Sequence, residues 1–350
     1  MADGTPVLPG GSNTYVRTFD AANSLRVEFS RNARDFAVNR YVQIVKVKKD
    51  QGYYLRINTE QAGRVLNANL QDHVWPDGAD RPQTNDGTEK FHYRSYLTQR
   101  RDYDFMLGRK ATEQADWDVV GSHERMQAQL AMTSRTASVH AVLSNAANWE
   151  ADHVKDVSTI DSVTGPWDVD TNDRGDLQKS LDYAAEIIVK ATLGVVRKKD
   201  LQLVINPTTA HAMAETQALR DHIKQSTYAL PQMRQDSSQW DQYGLPDKLY
   251  GYSTVVEDAV KVTSRRGAAA VARDWVMPDG VAYLLARPGA LVAPSGGPSF
   301  STASLFIYED MTVETFDDEK QRRVEGHVVD DLRTETTASA SGLKRERVRS

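Results

Sequence analysis

Ala111 to Trp149 reads ATEQADWDVVGSHERMQAQLAMTSRTASVHAVLSNAANW, and its spacing predicts one long helix. Val119, His123, Met126, Leu130, Thr133 and Ala137 recur at steps of four and three, which places them on a single helical face. Thr112 suits the N-cap, with Glu113 and Asp116 in the first turn, where the helix dipole favours negative charge. Gly121 inside the pattern costs about 1 kcal/mol relative to alanine. At about 1.5 Å per residue the rod would be roughly 50 Å long, about three times an average helix. A helix of that length is a frame on which other parts hang.

Immediately before it, Tyr41 to Gly108 is charged and dotted with aromatics. Val42, Ile44, Val45 and Val47 predict strand, although neither alternating face is clearly the buried one. Lys48 to Gly52 predicts a turn, and Tyr53, Leu55 and Ile57 resume the strand period. Trp75 to Gly87 (WPDGADRPQTNDG) is dense in turn residues, and the chain returns through Phe91, Tyr93, Tyr96 and Tyr103 to Leu107. With roughly twenty extended residues a side, such a ribbon would reach about 60–80 Å. A two-stranded ribbon is marginal alone in water, so the pattern points to cover by another copy. Ahead of it, residues 1–40 carry Pro6, Pro9, Gly10 and Gly11 and predict a weakly ordered extended arm.

Beyond the helix, Glu150 to Asp176 is a polar loop. Leu177, Leu181, Ala184, Ile188 and Ala191 then share a helical face, with Gly194 placed for a C-terminal cap. Leu201 to Ile205 predicts a buried strand, and Asn206-Pro207 opens a third helix with the preferred cap and first residue. Short strands follow between Gly244 and Pro298. Ser304 to Tyr308, Met311 to Thr315 and Val324 to Leu332 are strands around a charged tip, Asp317 to Arg323. The closing basic residues Lys344, Arg345, Arg347 and Arg349 predict a solvated, frayed tail, with transient nucleic-acid contact as the minority reading.

Composition excludes several classes. The net charge of -5 gives no bulk attraction to nucleic acid or anionic membrane. There is no cysteine, hence no disulfide or thiolate metal site. Met1 to Asn13 lacks the pattern of a secretory signal, no apolar run is long enough to span a membrane, and the chain is expected in the cytosol when made. Nucleophile-elbow, P-loop, dinucleotide and zincin motifs are all missing, and the eight histidines show no ligand spacing. His123, on the predicted apolar face, is expected as a packed core histidine. Asp168-Val-Asp170-Thr-Asn172 starts like a calcium loop, but Asp173 and Lys179 stand where glycine and glutamate are required. That leaves a solvated acidic loop, with an irregular cation site among Asp168, Asp170, Asn172 and Asp173 as the lesser reading. No catalytic, cofactor or metal residue is assigned. The competing enzyme reading is a hydrolase using loop carboxylates such as Asp161 and Asp168.

The order of parts resembles the major capsid protein of tailed bacteriophages, the HK97-type fold. Three stretches carry the likeness: Leu201 to Ala214 (LQLVINPTTAHAMA), Tyr243 to Val256 (YGLPDKLYGYSTVV) and Met311 to Arg333 (MTVETFDDEKQRRVEGHVVDDLR). The resemblance implies an α+β fold with an N-terminal arm over residues 1–40 and an extended loop over 41–108. It further implies a spine helix and peripheral domain over 109–172, an axial domain over 173–297, peripheral return strands over 298–341, and the basic tail at 342–350. It implies hexamers and pentamers closing an icosahedral shell around double-stranded DNA, with a portal protein and possible decoration proteins. No removable helical N-terminal segment is evident, so either a separate scaffolding protein acts or cleavage has already occurred. An encapsulin-type compartment is the other reading of the same fold. Trp75, Phe91, Tyr93, Tyr96, Arg100, Arg101, Arg322 and Arg323 are the expected intersubunit residues, since aromatics and arginine carry interface energy. Some members weld their shells by an isopeptide bond from a loop lysine to a hairpin asparagine. Lys90 is available here, but no asparagine follows Asn206, so no such crosslink is expected.

Overall fold

The computed structural model describes residues 31–56, 76–80, 92–115, 117–160, 163, 165–168, 176–217, 219, 243–265, 267–289 and 301–349. In chain order the helices are α1 (Val38–Tyr41), α2 (Arg109–Gln114), α3 (Val119–Ser144), α4 (Asp176–Ala191) and α5 (Pro207–Glu215). The strands are β1 (Gln43–Lys46), β2 (Gln51–Arg56), β3 (His92–Leu97), β4 (Gln99–Gly108), β5 (Val154–Asp156), β6 (Leu201–Ile205) and β7 (Lys248–Leu249). They continue with β8 (Tyr252–Val256), β9 (Val260–Val262), β10 (Arg273–Trp275), β11 (Val281–Ala286), β12 (Ala303–Asp318), β13 (Arg323–Thr336) and β14 (Leu343–Glu346).

Two sheets carry the body. One has the order β1-β12-β13-β4, and the other β5-β14-β11-β6-β8-β7. The long β12/β13 hairpin runs in antiparallel register from Ala303↔Thr336 to Asp318↔Arg323, with irregularities around Glu309. Against the second sheet, α4 buries Leu177, Leu181, Ala184 and Ile188, as its spacing predicts. At the end of α4 Gly194, with φ 76°, is left-handed and its N–H donates to the Val189 carbonyl at 2.8 Å, as a C-terminal cap requires, with Leu193 at φ 52° before it. After β6, Asn206 Oδ1 accepts from Thr209 N–H at 2.9 Å and Pro207 opens α5, as expected.

The predicted rod is interrupted. Helix α2 stops at Gln114, and a new helix starts at Val119 with Asp118 as N-cap, accepting from Gly121 N–H at 2.9 Å. Asp118, not Thr112, therefore caps the spine, because Gly121 lets the short carboxylate reach its amide closely. The buried face also differs. Ala131, Met132, Arg135, Thr136, Val139, His140 and Leu143 are buried, whereas Met126 and Leu130 are exposed. At about 100° per residue these faces lie on roughly opposite sides of the helix. The apolar spacing misled because Arg135 and His140 are buried through partners, which no hydropathy pattern shows. His123 is only half-buried, its ring 5.6 Å from that of Phe105.

Three further stretches pack differently from what the sequence predicts. The expected excursion from Tyr41 to Gly108 is split, since β1 joins β12 in parallel and β4 joins β13. Among the described residues of this stretch, β2 and β3 pair as a separate two-stranded ribbon. The closing residues are not a frayed tail: β14 lies between β5 and β11, and Arg345 is only 1% exposed. A strand with neighbours on both sides satisfies its amides, and that outweighs the cost of drawing its charged side chains inward. Near the other end, Phe36, Ala37, Val38, Tyr41 and Val42 belong to the core, so the stretch from Phe36 on is anchored.

Candidate assembly surface

An exposed apolar face lies on the β12/β13/β4 sheet. Directly opposed residues on neighbouring antiparallel strands share a face. Val328, Phe105 and Leu107 fall on the face towards α3, with Val119 packed against the last two. Gly326 sits where a Cβ would meet the Phe105 ring at 2.1 Å, so the ring crosses β13 only because that residue has no side chain. The opposite face carries Phe316, Glu325 and Met106 in one row across three strands. Phe316 is 54% and Met106 56% exposed. In the next row His327 lies 2.9 Å from Asp102, and its ring meets Phe316 edge-on.

The ribbon adds a second apolar strip. Its inner face holds Tyr54 and Tyr96, both stacked on Phe306, Tyr96 at 4.7 Å with planes 5° apart. Gly52 makes room for this: a Cβ there would lie 2.5 Å from the Tyr96 hydroxyl. Tyr53, Tyr93 and Leu97 alternate onto the other face and are exposed. Beyond Asp310, β12 is open on both faces, leaving Val313 as well as Phe316 uncovered.

The sequence-derived residues divide as follows. Trp75, Phe91 and the Lys90 of the crosslink argument lie outside the described residues. Tyr93 is exposed on the ribbon, and Tyr96 is committed to Phe306. Arg100 is exposed, 3.6 Å from Glu309. Arg101 is half-buried, donating to Ser134 Oγ on α3 at 3.2 Å. At the hairpin tip, Arg322 is exposed with φ 51°, and Arg323 pairs with Asp318 and Glu325 of its own hairpin. Of the two loop carboxylates, Asp161 lies outside the described residues, and Asp168 sits 4.0 Å from Arg349. Tyr53, Met106 and Phe316 are also exposed on this surface and are not among the expected residues, although an isolated apolar residue inside a charged hairpin is itself a signal.

Holding this surface in place is a buried ion pair. Arg135 of α3 reaches Asp330 with two hydrogen bonds, 2.7 and 3.2 Å, and Asp310 with one at 3.0 Å. Burial works against the guanidinium, but the hydrogen bonds and charges of Asp330 and Asp310 keep it firmly protonated. Ser138 adds a contact to Thr334 at 3.1 Å. These contacts tie the spine to the hairpin.

No family model and no curated protein matches the chain. Solved structures do. A phage-related protein from Bordetella bronchiseptica RB50 aligns with TM-score 0.59 at 14% identity, over 90% of this chain and 95% of its own. The bacteriophage PhiM1 mature capsid aligns with TM-score 0.57 at 11% identity, over 96% and 94%. The capsid of cyanophage P-SCSP1u aligns with TM-score 0.54 at 11% identity, over 95% and 92%. Near-complete coverage at such low identity means that the shared property is the path of the backbone: the chain has the HK97-type fold of bacteriophage capsid proteins.

Proposed function

We propose that this chain is the major capsid protein of a tailed bacteriophage. It assembles into hexamers and pentamers that close an icosahedral shell around double-stranded DNA, and it resides in the virion after assembly in the host cytoplasm. The observation that carries the reading is the uncovered Phe316–Met106 row beside the exposed Tyr53, Tyr93 and Leu97 of the ribbon. Apolar side chains so placed are the mark of a surface meant for a partner. On a capsid fold the partner is another copy, in a heterologous contact that closes into rings. Many modest contacts along an extended ribbon add up without any one being strong. Tyr93, Arg100 and Arg322 remain proposed intersubunit residues. Arg101 and Arg323 would act from positions already braced within the subunit. A separate scaffolding protein, a portal and possibly decoration proteins complete the proposed partners.

Electron microscopy of the purified chain after sizing tests this. Closed shells or capsomer rings support it, and nucleic acid within virion-derived shells separates a virus from an encapsulin-type compartment. A clean monomer under all conditions, even with co-expressed neighbouring gene products, refutes it.

A further inference from the structure

At the centre of the core, three polar side chains from three different elements meet. Tyr41, His140 and Glu257 are 0, 2 and 0% exposed. The Tyr41 hydroxyl lies 2.7 Å from Glu257 Oε2 and 2.9 Å from His140 Nε2. Glu257 Oε1 accepts from the Ala259 amide at 3.2 Å. His140 Nδ1 is buried with no hydrogen-bond partner. An N–H there would be an orphaned donor, so the neutral ring carries its proton on Nε2. The chain of donors is then fixed: His140 Nε2–H to the Tyr41 oxygen, and the Tyr41 O–H to Glu257.

These contacts sit beside the first described segment of the chain, which begins at Arg31. The joining segment is tied down by Arg31, whose amide donates to Gln129 of α3 at 2.9 Å and whose guanidinium meets Asp258 at 2.7 Å. At its other end Gln202 of β6 donates to the Arg40 carbonyl at 3.4 Å. We propose that Tyr41, His140 and Glu257 form a proton-balanced latch, fastening the segment Arg31–Val42 to the spine with a hold that stays level across neutral and mildly acidic pH.

The balance comes from two opposed groups. Burial, with Asp258 adding to it, pushes Glu257 up to about 7 against the opposing effects of Tyr41, Ala259 and Arg31. Burial, helped by Lys261, pushes His140 down to about 3. Tyr41 itself is driven up by burial and then by Glu257, and Tyr283, whose ring is 5.9 Å from His140, donates no charge at these pH values. Opening the segment returns both groups to water, near 4.5 and 6.5. For Glu257 the folded value is raised, so its contribution is full below 4.5 and is lost as pH rises through 7. For His140 the folded value is depressed, so its contribution is full above 6.5 and is lost as pH falls towards 3. Between pH 5 and 8, Glu257 alone would make opening about 70-fold easier at the alkaline end. His140 alone would make it about 30-fold easier at the acid end. Together they nearly cancel, leaving a change of about two- to threefold.

Amide hydrogen exchange of the full chain, corrected for intrinsic rates, reads this at the Arg40 and Val42 amides, which bond the Ala37 and Val38 carbonyls. Wild type should be level within about threefold between pH 5 and 8. Glu257→Gln should open about 30-fold more readily at pH 5 than at pH 8, and His140→Gln about 70-fold more readily at pH 8 than at pH 5. Equal slopes in the two variants, or variants as level as wild type, overturn the latch. Solid-state NMR of the unaltered chain with labelled histidine gives a test that needs no variant. A neutral His140 protonated at Nε2 at pH 5 supports the arrangement, and an imidazolium at that pH overturns it.

Discussion

Replacing Arg135 by methionine tests the joint between spine and hairpin most directly. Methionine preserves much of the apolar stem, so little packing is lost. What remains is the Asp330 carboxylate, fully buried, with Asp310 as a second acid on the same guanidinium. Removing one partner of a buried pair costs about 3–5 kcal/mol, most of it the penalty of the charge left behind. With about 2.1 cal/mol/K of unfolding entropy per residue, a chain of this length loses roughly 4–7 °C of melting temperature. Calorimetry at a fixed scan rate measures the shift. Two internal checks follow from the same geometry. Burial already pushes the Asp330 carboxyl up, with Arg135 opposing. Without Arg135 its folded value rises further above the unfolded one, so the variant's deficit must shrink as pH falls and the acid takes up a proton. Adding Asp330→Asn removes the stranded charge and should restore at least half of the loss. A single variant melting within 1 °C of wild type would refute the reasoning. So would a deficit that is indifferent to both acid and Asp330→Asn.

Other expectations rest on separate contacts. Gly326→Ala places a methyl into the rigid Phe105 ring. It should cost about 1–3 kcal/mol in a denaturant melt, relieved by Phe105→Leu. Met106→Ser with Phe316→Ser should abolish particles by electron microscopy while changing protomer stability by less than about 1 kcal/mol, because both side chains are exposed. Particles at wild-type yield would remove this row from the interface. Leu130→Asp, which the sequence pattern alone condemns as a buried charge, should fold within about 0.5 kcal/mol of wild type, since Leu130 is 51% exposed.

Local chemistry was legible wherever one residue type has one job. Asn206-Pro207 starts a helix in any context, and the run Leu201–Ile205 has nowhere to go but inside; both stand where the sequence puts them. The spine failed at the opposite kind of position. Reading helices by apolar spacing assumes that polar means outside, yet the face of α3 that meets the core carries Arg135, Thr136 and His140. Thr136 donates back to the Met132 carbonyl of its own helix, and the other two are buried only because a partner far along the chain completes them: Asp330 for Arg135, Tyr41 for His140. The same blindness turned β14 into a tail, since Lys344 and Arg345 look like solvent residues until β5 and β11 flank them. For the candidate surface the error runs the other way. The composition of the ribbon points to cover by another copy, and Tyr93 does stand uncovered. But aromatic and arginine content alone could not separate side chains already spent within the subunit, such as Tyr96 on Phe306 and Arg323 on Glu325, from those left over. Which residues remain for a neighbour is a property of strand register: Phe316, Glu325 and Met106 form one row only because β12, β13 and β4 pair as they do, and a slip of one position would set Phe316 beside residues of the other face. A surface for assembly is therefore written in the pairing of strands far apart in the chain, the information a linear reading reaches last.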